Sequence, residues 1–475
     1  MPKSITLSKF SKGLNLQQGP SSSDADTLRV LKNAYVTAGK TIRKRPGFAL
    51  VAQLEPGSVG MFSGLGKLNT FCNSNAVVTH ANPLFKCNVL TSVAPNTPLA
   101  KVTFCEVFDG FLYVAAQNTL QSGYSGSHHY IDATSDTRVT DANCPQSTVV
   151  QKITSKIWAR STDGAAIRYS KTNNPRDWTA ANDAGFLPVG VQATGSSRNT
   201  ALGYYNNRLV VFFSDSSQVW AVDVDPAQNQ FLQTVDTGTV NQYAHANMAG
   251  DVFFLSPQGV RTITAQENTQ NNLIDNDVGS PIDRELLAGT IIPPTAFGLE
   301  ESKGQYYRGG GQYWLYHKNK SAVYTFSRSS GVSAWSVYEF PFNIEYLDEL
   351  EGELYARSGN NVYRLDQKRY TDNGTIYPVE IEMAYIDFKS PGMLKQIFSM
   401  DAVITGQAEI AYRFDPRNPN LLTNPPVGIV GDSRPGSVYP VEMLATNIAP
   451  VITNKNDQDF ELHSLQFIYD TLGPI

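Results

Sequence analysis

Charge is scarce in this chain: 17% of its 475 residues are Asp, Glu, Lys or Arg. Long apolar runs are missing too. No stretch approaches the ~18 apolar residues of a spanning helix, and no apolar h-region follows "MPKSITLSKF". Neither a membrane span nor a secretory signal is expected, and the chain is expected to fold in the cytoplasm. Cys72, Cys87, Cys105 and Cys144 match no compact metal-binding spacing, so they read as free thiols.

The motifs of common chemistries are incomplete. "RGGGQ" (308–312) lacks the Lys-Ser/Thr and the helix that a phosphate cradle needs. "IDNDVGSPID" (274–283) offers calcium Asp275, Asp277 and Asp283, but its glycine comes one position early and the closing Glu of an EF-hand loop is absent. His128-His129 is the one histidine pair; neighbours on a strand point to opposite faces and bind one metal poorly, so a surface loop is expected. "EYLDELEGELY" (345–355) holds Glu345, Asp348, Glu349, Glu351 and Glu353. Paired carboxylates hydrolyse glycosides when held at the right separation, but acids flanking a hairpin turn are ordinarily solvated. "YSKTNNPRDW" lacks the Asp and Gly of a sialidase Asp-box. No catalytic residue, cofactor or metal is assigned, and the chain is read as a non-enzyme.

What is abundant points to strands and turns. Phe, Tyr and Trp make up 11%, with 36 Gly and 26 Pro, a balance that favours an all-β fold. From about 61 to 366, apolar runs alternate with turns. "VFDGFLYVAA" (107–116) reads as strand, Asp109-Gly110 turn, strand. "GYYNNRLVVFFS", "MAGDVFFLSPQGVRTIT", "GGGQYWLYHKNKSAVYTFS" and "LEGELYARSGNNVYRLD" repeat the theme. Their spacing of roughly 40 to 60 residues suits four-stranded propeller blades, though neither a Trp-Asp nor a kelch signature occurs. An irregular β-propeller of about six or seven blades over 51–370 is expected, with Phe253, Phe254, Tyr313, Trp314, Tyr316, Tyr324 and Phe326 packed between blades. Residues 371–475 change rhythm, carry 13 acidic against six basic residues, and read as an added C-terminal β-sandwich-like domain. Cleavage is expected within 367–377 or the Pro/Asn-rich 415–428.

Charge is also unevenly spread. Residues 1–50 hold nine Lys or Arg and two Asp, a net +7, which leaves −12 of the overall −5 to the rest. "AYVT" and "TIRK" form a hairpin around Ala38-Gly39, and Arg45-Pro46-Gly47 ends its second strand. This hairpin, preceded by "FSKGLNLQQGPSSSDAD", resembles the N-terminus of tail nozzle proteins of short-tailed, podovirus-type bacteriophages. "IRYSKTNNPRDW" (167–178) is similar to a segment of phage tail propellers. "NRLVVFFSDSSQVWAV" and "AGDVFFLSPQGVRTIT" resemble paired blades of the packaged-DNA stabilisation family.

The resemblance implies a structural virion protein. It would be a subunit of a hexameric ring below portal and adaptor that closes the exit after packaging and conducts double-stranded DNA on ejection, with a distal β-domain bearing a fibre or spike and a tail needle as a further partner. The proline-rich stretch 415–428 departs from the pattern and leaves the tip open. On this reading residues 1–50 are a docking arm, Lys40, Arg43, Lys44 and Arg45 contact the adaptor, and deletion of 1–40 leaves a folded propeller. The alternatives are a carbohydrate-binding or hydrolysing propeller acting as a receptor-binding tail component, and a propeller scaffold for host proteins.

Overall fold

Two-residue turns set the local architecture. Asp109 and Gly110 take φ of 48° and 78°, and Asn206 and Asn207 take 44° and 58°. Both central residues then have the positive φ that matches the twist of flanking strands, and Phe108 faces Phe111 while Tyr205 faces Arg208. The hairpins at Ser256/Gly259, His317/Lys320, Leu350/Glu353 and Ser358/Asn361 close in the same register. The computed structural model describes residues 2–474 apart from 73–81, 91–96, 133–134, 194, 196–197, 249, 269–276, 292–300, 419 and 424–425.

The chain folds as an all-β propeller. Among the described residues seven strand groups follow one another, six of them small sheets and one the first part of a larger sheet, and their first strands are Val59–Gly64, Leu99–Phe108, Val150–Ile153, Ala201–Tyr205, His245–Met248, Lys303–Tyr307 and Tyr346–Leu350. Each first strand touches the next, and Tyr346–Leu350 touches Val59–Gly64, which completes a circle. Radial stacking covers faces that a lone sheet would leave wet. Phe254, Tyr313, Trp314 and Tyr316 are buried as expected, whereas Tyr324 and Phe326 keep partial exposure.

The two chain ends depart from the expected partition. Gly47–Gln53 pairs with Asn361–Asp366 and completes the last sheet, so the ring is closed by an early strand. Lys3–Leu7 and Ile42–Lys44 pair with Glu461–Pro474. Leu28–Lys32 lies between Val332–Glu339 and Val379–Met383, making one nine-stranded sheet that runs from the propeller into the C-terminal region. That sheet packs on the one holding Met393–Thr405 and Glu461–Pro474, through Ile381, Ile410, Tyr412 and Ile452 against Met400, Leu465 and Phe467. Residues 1–50 are therefore structural strands rather than a separate arm, and the sandwich is built from both ends of the chain.

The segment 367–377 is likewise tied down: the Arg369 carbonyl accepts from Gly47 N at 2.7 Å, and Asp372 and Tyr377 are buried. The site of first cleavage is then Arg417, whose side chain is 93% exposed. Brief trypsin treatment followed by mass mapping should show cutting after Arg417 before any cut in 367–377.

Candidate functional site

The seven first strands enclose an axial channel of about 820 Å³, to which every one of them contributes lining residues. Hydrogen bonds between neighbouring strands and across the channel show that they run the same way. Near their starts, Thr103 donates to Thr148 O at 2.9 Å, Thr148 to Gln242 at 3.2 Å, Lys303 to Glu345 O at 2.5 Å and the Tyr346 hydroxyl to Val102 O at 3.3 Å. Further along, Asn247 donates to Gln151 at 3.1 Å, Lys152 to Val107 O at 2.5 Å, and Arg308 N to Glu349 at 2.6 Å.

This shared direction gives the channel two electrically different ends. At the starting end, the Lys303 ammonium sits 4.1 Å from the Tyr346 ring centre, and both Lys303 and Lys101 lie against Tyr243, at 5.6 and 5.0 Å. Burial, reinforced by repulsion from Lys101, pushes Lys303 down to about 8. At the other end stand Glu106, Asp348 and Glu349. Burial raises Glu106 to about 7 and Asp348 to about 6, even though Asp348 accepts backbone N–H bonds from Ser63 and, at 2.8 Å, from Glu349. Asp348 thus belongs to a channel wall, not to a solvated turn. Its partner Glu106 was not singled out in the sequence; on a strand whose flanking Cys105 and Phe108 are buried, no motif marks it.

A carboxyl whose folded pKa is raised is bound more tightly to its proton in the native state than in the unfolded chain. Its stabilising share is complete below the ordinary 4.5 and is lost as pH rises through about 7. Glu106→Gln is expected to leave Tm unchanged near pH 4 and to raise it at about pH 8, by thermal denaturation at both. An equal Tm at the higher pH would show that the site does not strain the ionised form.

The expected docking residues lie elsewhere. Arg45 and Asp372 form a fully buried bidentate pair, Nη1 to Oδ1 at 3.0 Å and Nη2 to Oδ2 at 2.6 Å. The guanidinium also donates to Asn33 and to the Glu339 carbonyl and stacks 3.8 Å from the Tyr377 ring centre. Lys44 is buried, donates to Asn454 and Asn456 O, and is lowered to about 8 by desolvation and by Arg45. Arg43 grips Asp459 through Nε and Nη2 at 3.3 and 2.8 Å and is raised by that bond. Only Lys40 stays on a turn, half-buried with φ 65°. These charges hold the chain's ends together: Lys44 and Arg45 are buried and present no docking surface, whereas Arg43 keeps 38% of its side chain exposed.

The other candidates are also internal. His128 and His129 are buried on strand Ser127–Ile131, on opposite faces but not in a surface loop. His129 accepts or donates at 2.8 Å to Ser127 Oγ through Nε2 and at 3.0 Å to Asp136 through Nδ1. That is the order of a nucleophile relay, but Ser127 and His129 are 0% and 1% exposed, so the hydroxyl meets no substrate. Asp277 and Asp283 turn onto Arg261, at 3.5 and 2.5 Å, and Asp275 lies outside the described residues. None of the four cysteines forms a disulfide, the Cys72 and Cys87 sulfurs lying 2.9 Å apart, and no group of three or more metal-ligating side chains occurs among the described residues. No helix among them is long and apolar enough to cross a membrane.

No family model matches the chain, and no curated protein matches it in sequence. Among solved structures it is similar to the WD40 β-propeller domain of Doa1, at 11% identity and a TM-score of 0.39, over 68% of this chain and 98% of that one. It is also similar to an exo-β-1,3-galactanase of Phanerochaete chrysosporium, at 11% identity and a TM-score of 0.25, over 76% and 94%. Likenesses at this level carry nothing about activity.

Proposed function

We propose that the chain is a structural subunit of a phage tail nozzle, part of a ring below the portal and adaptor that closes the DNA exit and conducts the genome on ejection. The observation that supports this reading is the joining of propeller and β-sandwich by a continuous nine-stranded sheet and the buried Arg45–Asp372 pair. A propeller with an added β-domain is the architecture the phage resemblance implies, and a conduit under internal pressure needs the two parts to move as one. The acidic body favours sliding, because like charge keeps a duplex hydrated and off the wall. One sheet edge, Val438–Ala445, pairs among the described residues only with Met393–Thr405 and exposes Val438 and Leu444. An open edge of this kind, partly apolar although Pro440 and Glu442 interrupt it, suits contact with a neighbouring copy.

The test is negative-stain imaging of the purified chain with and without its portal–adaptor complex. A ring of copies at the distal end of the adaptor supports the proposal, and a chain that stays monomeric and unbound in both preparations overturns it.

A further inference from the structure

The axial channel's amides are tied into its own wall: Asn247 donates to Gln151, Gln242 donates to the Tyr243 hydroxyl at 2.7 Å while accepting from Thr148, and Gln305 donates to the Tyr306 carbonyl. Glu106 differs from all of these. Deep in the wall and facing the channel, its carboxylate receives no hydrogen bond and joins no ion pair among the described residues. The nearest cation, Lys152, spends its ammonium on the Val107 carbonyl. Asp348, close enough to raise Glu106 further, adds a second carboxylate.

We propose that the channel binds a small organic cation, a primary amine or guanidinium, on Glu106 and Asp348. A ligand that brings a positive charge and N–H donors matches two neighbouring carboxylates, one of them without a partner, whereas a neutral sugar would leave that charge uncompensated. A ring completes the fit: Phe62 lines the same channel next to Ser63, whose N–H bonds Asp348, and aromatic faces attract desolvated cations. The volume of about 820 Å³ suits a molecule and not a bare ion. Lys303, held on the Glu345 carbonyl at the channel's opposite end, repels the cation and so fixes its depth. The groups facing the two acids are Lys152, Cys105, Glu349 and each other, and Glu351 and Arg308 stand at the mouth. Binding should release protons, since both acids hold theirs more tightly than usual in the empty channel.

Isothermal titration calorimetry of the full chain with agmatine tests this, with galactose and inorganic phosphate as comparison probes. Saturable agmatine binding at about pH 8 is expected, weakened at least tenfold by Glu106→Gln and also at least tenfold near pH 5. Glu106→Gln changes no hydrogen bond and should fold; Asp348→Asn, checked by near-UV circular dichroism, provides the second variant and should weaken binding likewise. Three results would overturn the proposal: no agmatine heat at millimolar concentration, an affinity unchanged by Glu106→Gln, or binding of galactose or phosphate in its place. None of these bears on ring assembly, so the nozzle reading stands or falls separately.

Discussion

Arg45→Ala should destabilise the protein by about 3–5 kcal/mol, the cost of leaving a buried charge without its partner. Asp372 would then sit fully enclosed, with the Phe48 N–H at 3.0 Å its one remaining donor among the described residues. The Glu339 carbonyl would lose that donor too, and Asn33 Oδ1 would keep the Glu339 N–H but lose Arg45. Arg45→Lys should recover only part of the loss, since an ammonium cannot reproduce the two-pronged geometry or the stacking on Tyr377 and Phe340. The measurement is urea unfolding of each variant, with Asp372→Asn closing a double-mutant cycle. The second substitution should cost much less once Arg45 is gone. A loss below about 1 kcal/mol for Arg45→Ala would mean that the pair does not hold the two bodies together.

Deleting residues 1–40 should abolish native folding. The deletion removes Phe10, Leu14, Leu28, Leu31 and Val36, all at most 2% exposed. At about 1.5–3 kcal/mol for each buried side chain, they together rival the ~5–15 kcal/mol by which a typical protein is stable. It also opens two sheet edges, since Leu28–Lys32 is the strand between Val332–Glu339 and Val379–Met383. Exposed edges of that kind pair with other chains, so the truncated protein should be insoluble on expression or cleaved at many sites by trypsin. Co-expression of residues 1–40 as a separate peptide should restore soluble material. A soluble truncation with the near-UV circular dichroism of the full chain would revive the separate-arm reading.

Local chemistry determined the hairpins. Asp-Gly and Asn-Asn turns adopt positive φ at little cost, and the apolar runs beside them have nowhere to go but strands, so the repeated strand–turn–strand units and the all-β class are legible residue by residue. The hairpin around Ala38-Gly39 is legible for the same reason. What local chemistry leaves open is which distant strand each edge meets.

Gly47–Gln53 finds Asn361–Asp366 across more than three hundred residues, and nothing in "GFALVAQ" names that partner. Circular closure decides it, because every other strand in the ring has its neighbour nearby in sequence. The same closure turned "RKRPG" inward. Net charge placed these side chains on a surface, but Asp372, Asp459 and the Tyr377 ring are assembled around them only after both ends of the chain are in place. Glu106 and Asp348 met by the same route: their strands are separated by the whole circuit of the ring, and only its completion puts two carboxylates in one channel.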